Sequence, residues 1–145
     1  MKTDQNIKDI VVAAICRHSM DMNTWTHTQL WDEGDAILKT KLSHVCKVEA
    51  GELPILYSYI DPANWTLFTT RRIWYATEEQ LGSVVVSEIV TYGFGNFKGY
   101  SEQKVERMEI HSRNTEIHYC PFETGKASMG SIYAVRTLSQ LGSAL

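Results

Sequence analysis

Eleven residues, 65–75 (WTLFTTRRIWY), constrain what this chain can fold into more than any other stretch. Apolar and polar side chains alternate from Trp65, the pattern breaks at Thr69, Thr70, Arg71 and Arg72, and it resumes with Ile73, Trp74 and Tyr75. β-Branched and aromatic side chains suit a pleated surface, and two such runs meeting at a tight polar turn read as a β-hairpin. This hairpin is the seed of an antiparallel sheet.

The flanks supply the other elements. Ile7, Ile10, Val11, Ala14 and Ile15 form one stripe of a helix over residues 6–18, with Asp4 or Asn6 as its N-cap. A second helix is expected over 28–47, with Leu30, Trp31, Ile37, Leu38, Leu42 and Val45 on its apolar side. Its acidic residues lie early and Lys39, Lys41 and Lys47 late, which complements the helix dipole, while Gly34 is a weak point inside it. After Gly51 and Pro54 the pattern turns to strands, expected at 53–60, through the central hairpin, and at 83–92 beyond a polar loop at 78–82. The glycine-rich, aromatic segment 93–100 reads as a bend or bulge. A last hairpin joins 105–112 to 115–121 around Arg113 and Asn114. Met129, Ile132, Val135, Leu138 and Leu141 then restore a helical period over 124–141. The expected class is α+β: two N-terminal helices, then a small antiparallel β-barrel or orthogonal sandwich of six or seven strands, capped by a C-terminal helix.

At 145 residues the chain suits one domain with one core, burying roughly 70% of its unfolded surface. A net charge of −3 argues against general affinity for nucleic acid, which requires a basic surface to displace counterions. Cys16, Cys46 and Cys120 lack CxxC spacing, so they read as idle thiols in a reducing compartment rather than as a disulfide framework or zinc site. The one sustained apolar run, 10–16, is too short to span a bilayer, and acidic Asp4 and Asp9 spoil it as a signal peptide. The expected location is the cytoplasm.

Residues from about 53 to 141 resemble a pleckstrin homology-like (PH-like) domain of the bacterial kind. The resemblance rests on three features: the hairpin from Leu67 to Ile73; the strand Val84, Val85, Val86, Ser87, Glu88, Ile89, an apolar run ending in a polar–acidic–Ile step; and the closing strand pair with its C-terminal helix. It implies a barrel stoppered by the last helix, with residues 1–49 as a helical N-terminal arm and 50–145 as the PH-like domain, together one compact unit. Phosphoinositide-binding members carry basic residues around the loop joining the first two strands. Here that loop is Asp61, Pro62, Ala63, Asn64, without a Lys or Arg.

Two sets of side chains are candidates for chemistry. If Arg113 and Asn114 form a two-residue turn, Glu109, His111, Glu116 and His118 share one strand face, and two imidazoles with two carboxylates suit zinc or iron. The structural alternative is a solvated face with acid–histidine pairs. Arg71 and Arg72 at the central turn, with Lys98, are the candidate ligand-binding cations, since guanidinium forks match phosphate and carboxylate; a solvated turn, or salt bridges to Glu78 and Glu79, is the structural alternative. No GxSxG, HExxH or paired CxxC is present, so no catalytic residue and no cofactor is expected. The leading expectation is a non-enzymatic interaction module that binds a protein partner or self-associates. A metal-dependent or acid–base enzyme using the histidine hairpin and a peripheral membrane or phospholipid binder are the alternatives.

Overall fold

The computed structural model describes residues 2–95, 97 and 105–143. In chain order the elements are α1 (Asp4–His18), β1 (Thr28–Leu30), α2 (Ala36–Val45), β2 (Pro54–Asp61), β3 (Asn64–Thr69), β4 (Arg72–Ala76), β5 (Leu81–Val85), β6 (Ile89–Gly93), β7 (Val105–Ser112), β8 (Ile117–Glu123) and α3 (Ser128–Ser143). The eight strands make two antiparallel sheets, one ordered β1-β2-β3-β4-β5 and the other β6-β7-β8. The chain is therefore α+β, with helices before and after the strands.

Strand register explains the core. Leu30, Leu56, Phe68, Ile73 and Val84 are aligned across the five strands and all are buried. They meet Met108, Ile110, Cys120 and Phe122 of the second sheet, and Val135 and Leu138 of α3, in one apolar cluster. Val11 and Ile15 bring α1 into the same cluster, where it packs on α3. Truncating a buried side chain of this row to alanine costs about 2–5 kcal/mol, because the removed atoms leave a void as well as losing burial. The opposite face of the larger sheet is also dry: Tyr57, Trp65, Leu67 and Ala76 lie under Leu42 and Cys46, with Trp31, Leu38 and Trp74 around them. Burial on both faces accounts for the density of apolar residues in β2 and β3.

Several expectations need correction. Residues 28–47 are not one helix: Thr28–Leu30 is a strand paired with β2, a 3-10 turn follows at Trp31–Glu33, and α2 begins only at Ala36. Asp35 caps it by accepting the amide of Leu38 at 2.9 Å. Gly34 lies in the break, where a Cβ would stand 2.6 Å from Tyr57 Cε2, so its small size is a packing requirement and not a helix defect. The expected strand 83–92 is divided by a 3-10 turn at Val86–Glu88, which passes the chain from one sheet to the other. The N-cap of α1 is Thr3, whose hydroxyl accepts the amide of Asn6 at 3.1 Å. The segment 93–100, read as a bend, falls largely outside the described residues. No helix among the described residues is long and apolar enough to cross a membrane.

Candidate functional site

The β3–β4 turn positions Arg71 and Arg72. Thr69 Oγ1 accepts the amides of Arg71 and Arg72 at 3.3 and 3.0 Å and donates to Glu52 Oε2 at 2.5 Å, which tightens the bend. Both guanidinium groups then turn onto carboxylates of their own chain. Arg71 grips Asp4 side-on, Nε to Oδ1 at 3.1 Å and Nη2 to Oδ2 at 2.8 Å, and its Nη1 reaches Glu49 Oε2 at 3.0 Å. The Arg71 hydrogen bond holds the Asp4 carboxyl below its ordinary range, against partial burial that pulls the other way. Arg72 also pairs with Glu49, lies 5.1 Å from the centre of the Trp74 ring, and comes within 3.8 Å of the buried Glu52 carboxylate. The expected partners Glu78 and Glu79 sit at the far end of the β4–β5 hairpin instead. All three Arg71 nitrogens are engaged, so the turn works as a clasp holding the start of α1 and the α2–β2 connection to the sheet. Lys98, the third cation of the proposed set, lies outside the described residues.

The histidine hairpin does not assemble the expected quartet. Its loop has three residues, Arg113, Asn114 and Thr115, closed by Thr115 N to Ser112 O at 3.1 Å and Ser112 N to Glu116 O at 3.0 Å. Thr115 takes φ +68°, the left-handed residue that ends a turn-plus-bulge hairpin. The added residue shifts the register by one: Glu109 faces Tyr119, Ile110 faces His118 and His111 faces Ile117. Since neighbouring residues on a strand point to opposite faces, His118 moves inside with Ile110 while Glu109 and His111 stay on the outer face. No group of three or more His, Cys, Asp and Glu among the described residues is placed to hold a metal ion.

Inside, His118 Nδ1 meets the buried Tyr75 hydroxyl at 2.7 Å, and its Nε2 is 3.5 Å from Glu116 Oε2 at the surface. Burial lowers the His118 pKa, with Glu116 opposing, and pushes the Tyr75 phenol up to about 12. A neutral imidazole bonded to a neutral phenol in an apolar surround ties the two sheets together.

A second polar seam was not foreseen. Thr28, Ser58, Thr66 and Tyr75 lie in one row across β1–β4, facing β8. There Glu123 accepts the amides of Thr26 and His27 at 3.0 and 2.8 Å and the Thr28 hydroxyl at 2.9 Å, while Thr66 Oγ1 donates to Pro121 O at 2.6 Å. The free thiols Cys46 and Cys120 are buried, burial pushing the first up to about 12, and Cys16 is exposed.

Of the terminal strands β1, β5, β6 and β8, the one at the β5 edge of the larger sheet has five residues without proline, charge or bulge. β5 (LGSVV) pairs with β4 on one side and with nothing on the other among the described residues. Leu81 and Val85 are 57% and 45% exposed, on the same face as the half-buried Ser83. A hollow of about 360 Å³ lies at its Leu81 end, lined by Val45, Trp65, Glu78 and Glu79 among others. Another of about 450 Å³ lies at its Val85 end, lined by Lys2, Ile7, Arg71, Arg72 and Ser87 among others. The sequence held a signal for this edge in the alternation Leu81, Ser83, Val85, obscured because Leu81 and Gly82 read as loop. Compared with protein-family models, with curated proteins and with solved structures, the chain matches none.

Proposed function

We propose that this chain is a non-enzymatic interaction module of PH-like build, and that β5 is the edge through which it takes a protein partner or a second copy. Two facts favour the PH-like barrel or orthogonal sandwich. β8 touches β2, β3, β4 and β5 in turn, which a strand crossing the larger sheet steeply would do, and α3 closes the assembly against β2 and β8. In this reading β1 of the N-terminal arm is an addition that extends the sheet, and α2 one that covers its far face.

The observation that carries the function is the unguarded edge. Proteins blunt exposed edges with charge, proline or a bulge, because alternate backbone N–H and C=O groups there invite another strand. β5 has none of these over five residues, and hollows at both ends offer places for a guest strand's side chains. Meanwhile the polar groups that might have done chemistry (Arg71, Glu52, His118 and Glu123) are taken up in bonds within the chain. The test is sedimentation velocity of the isolated chain from micromolar to millimolar concentration, with affinity capture from the source cell using wild type and Leu81→Lys. Association or capture that Leu81→Lys abolishes is expected. A chain that stays monomeric and captures nothing sensitive to that substitution refutes the proposal.

A further inference from the structure

The buried phenol of Tyr75 has three close polar or backbone neighbours, and one of them titrates. His118 Nδ1 lies 2.7 Å from its oxygen, the Gln80 side-chain amide approaches at 3.5 Å, and the backbone of Gly82 is so near that a Cβ there would stand 2.6 Å away. Tyr75 and Gly82 are directly paired across β4 and β5, so the glycine is what lets the ring lie over its partner strand. The tautomer of His118 follows from its other nitrogen. Nε2 faces the Glu116 carboxylate at 3.5 Å, where a bare nitrogen would set lone pair against lone pair. The proton therefore sits on Nε2, and Nδ1 accepts from the phenol. From this geometry we infer that neutral His118 is an acid-sensitive latch on the turn end of the β4–β5 hairpin, residues 77–82, which protonation of the imidazole releases while the two sheets stay packed.

Adding a proton makes both ring nitrogens donors. The phenol must then accept from Nδ1, and its own hydrogen needs a new acceptor. Gly82 blocks the ring from backing away, and Gln80 presents its amide nitrogen, a donor, so that side chain must turn over or leave. Gln80 is also half of the turn: Thr77 N donates to its carbonyl at 2.8 Å, and its own amide donates to Thr77 O at 3.3 Å. The disturbance passes into residues held by little else. β5 is the last strand of its sheet, Leu81 is exposed, and the deep anchor of the strand is Val84, on the far side of Ser83.

The other groups around the imidazole shape this response without replacing it. Burial lowers the His118 pKa, and Glu116, its charged neighbour among the described residues, opposes. Cys120, on the same face of β8, is a buried thiol kept neutral by that burial, and Ile110 stands opposite His118 on β7.

Amide hydrogen exchange read by mass spectrometry, corrected for its intrinsic pH dependence, tests the latch segment by segment. Peptides covering 77–82 are expected to open about tenfold more per pH unit below 6.5, until the lowered pKa of the ring is reached, while β3 and β7 keep their protection. His118→Gln offers Tyr75 an acceptor that does not titrate and leaves Glu78 and Glu79 in place, so exchange at 77–82 is expected to lose its acid dependence. Tyr75→Phe removes the hydroxyl and with it the conflict, and is expected to do the same. Nitrogen chemical shifts of His118 at neutral pH are expected to show a bare Nδ1 and a protonated Nε2. Exchange at 77–82 that is flat with pH in the wild type, or an acid response that survives either substitution, overturns the latch. So does a rise shared equally by β3 and β7, which is global unfolding, or a proton found on Nδ1 in the neutral ring.

Discussion

Replacing Glu123 by alanine is the sharpest test of the polar seam between the sheets. The carboxylate accepts three hydrogen bonds, from Thr26 N at 3.0 Å, His27 N at 2.8 Å and Thr28 Oγ1 at 2.9 Å, and the residue is only 8% exposed. Bonds to a charged acceptor contribute about 1.5–3 kcal/mol each, so an upper range is about 5–9 kcal/mol. Two of the three donors are not stranded by the change. Thr26 is exposed and its amide regains water, and the Thr28 hydroxyl keeps Ser58 Oγ at 3.1 Å. The amide of half-buried His27 is the one left without its acceptor, and the side-chain stem leaves a small void. The expected loss is therefore about 3 kcal/mol, equivalent to about 10 °C in Tm for a domain of this size. Glu123→Gln keeps the shape and one acceptor oxygen, and is expected to lose about half as much. Urea unfolding monitored by tryptophan fluorescence reads both, as a lower midpoint at unchanged slope. A Glu123→Ala variant within about 0.5 kcal/mol of wild type would refute the reasoning, because the seam would then be decoration on an apolar interface.

Four further outcomes follow from the surroundings of single residues. The lowered pKa of His118 means the unfolded chain binds its proton more readily, so stability is full above about pH 6.5 and is lost as pH falls below it; His118→Gln should flatten the urea midpoint across that window, and an unchanged slope counts against the buried pair. Asp4 adds a separate acid arm, present above its ordinary 3.8 and lost as pH falls below it, which Asp4→Asn should remove at low salt. The Tyr75 phenol, raised to about 12, contributes stability below pH 10 that disappears as pH rises towards 12; Tyr75→Phe should lessen that alkaline loss, and tyrosinate absorbance checks it directly. Gly34→Ala should cost about 1–3 kcal/mol, since a Cβ at 2.6 Å from Tyr57 must displace a ring whose hydroxyl accepts the amide of Asp35 at 3.0 Å; a neutral result in thermal melts would mean the break before α2 yields freely.

The elements with strong local signals were legible, and those set by contacts far away in sequence were not. The 65–75 hairpin and the stripes of α1 and α3 have periodicities that no other element produces. Thr28–Leu30 reads as helix in the sequence because Leu30, Trp31, Ile37 and Leu38 happen to fall at helical spacing; what makes it a strand is Ser58 and Glu123, 30 and 95 residues away. In the last hairpin, Arg113 and Asn114 looked like a two-residue turn, and no residue type announces a threonine at φ +68°. That single residue moved His118 from a solvent face to the core. Arg71 and Arg72 stand out in the sequence as candidate ligand-binding cations, but their carboxylate partners Asp4 and Glu49 arrive from α1 and the α2–β2 connection, beyond any local pattern.

The span of those contacts bears on how the protein is made. The amides of Thr26 and His27 wait for a carboxylate 97 and 96 residues downstream, and α1 lies on a helix built last. At ordinary elongation rates roughly 5–20 s pass between translation of Thr26 and of Glu123. Until α3 follows, α1 can lay its apolar ridge of Ile7, Val11 and Ile15 against β2 but not against the helix that supplies most of its packing.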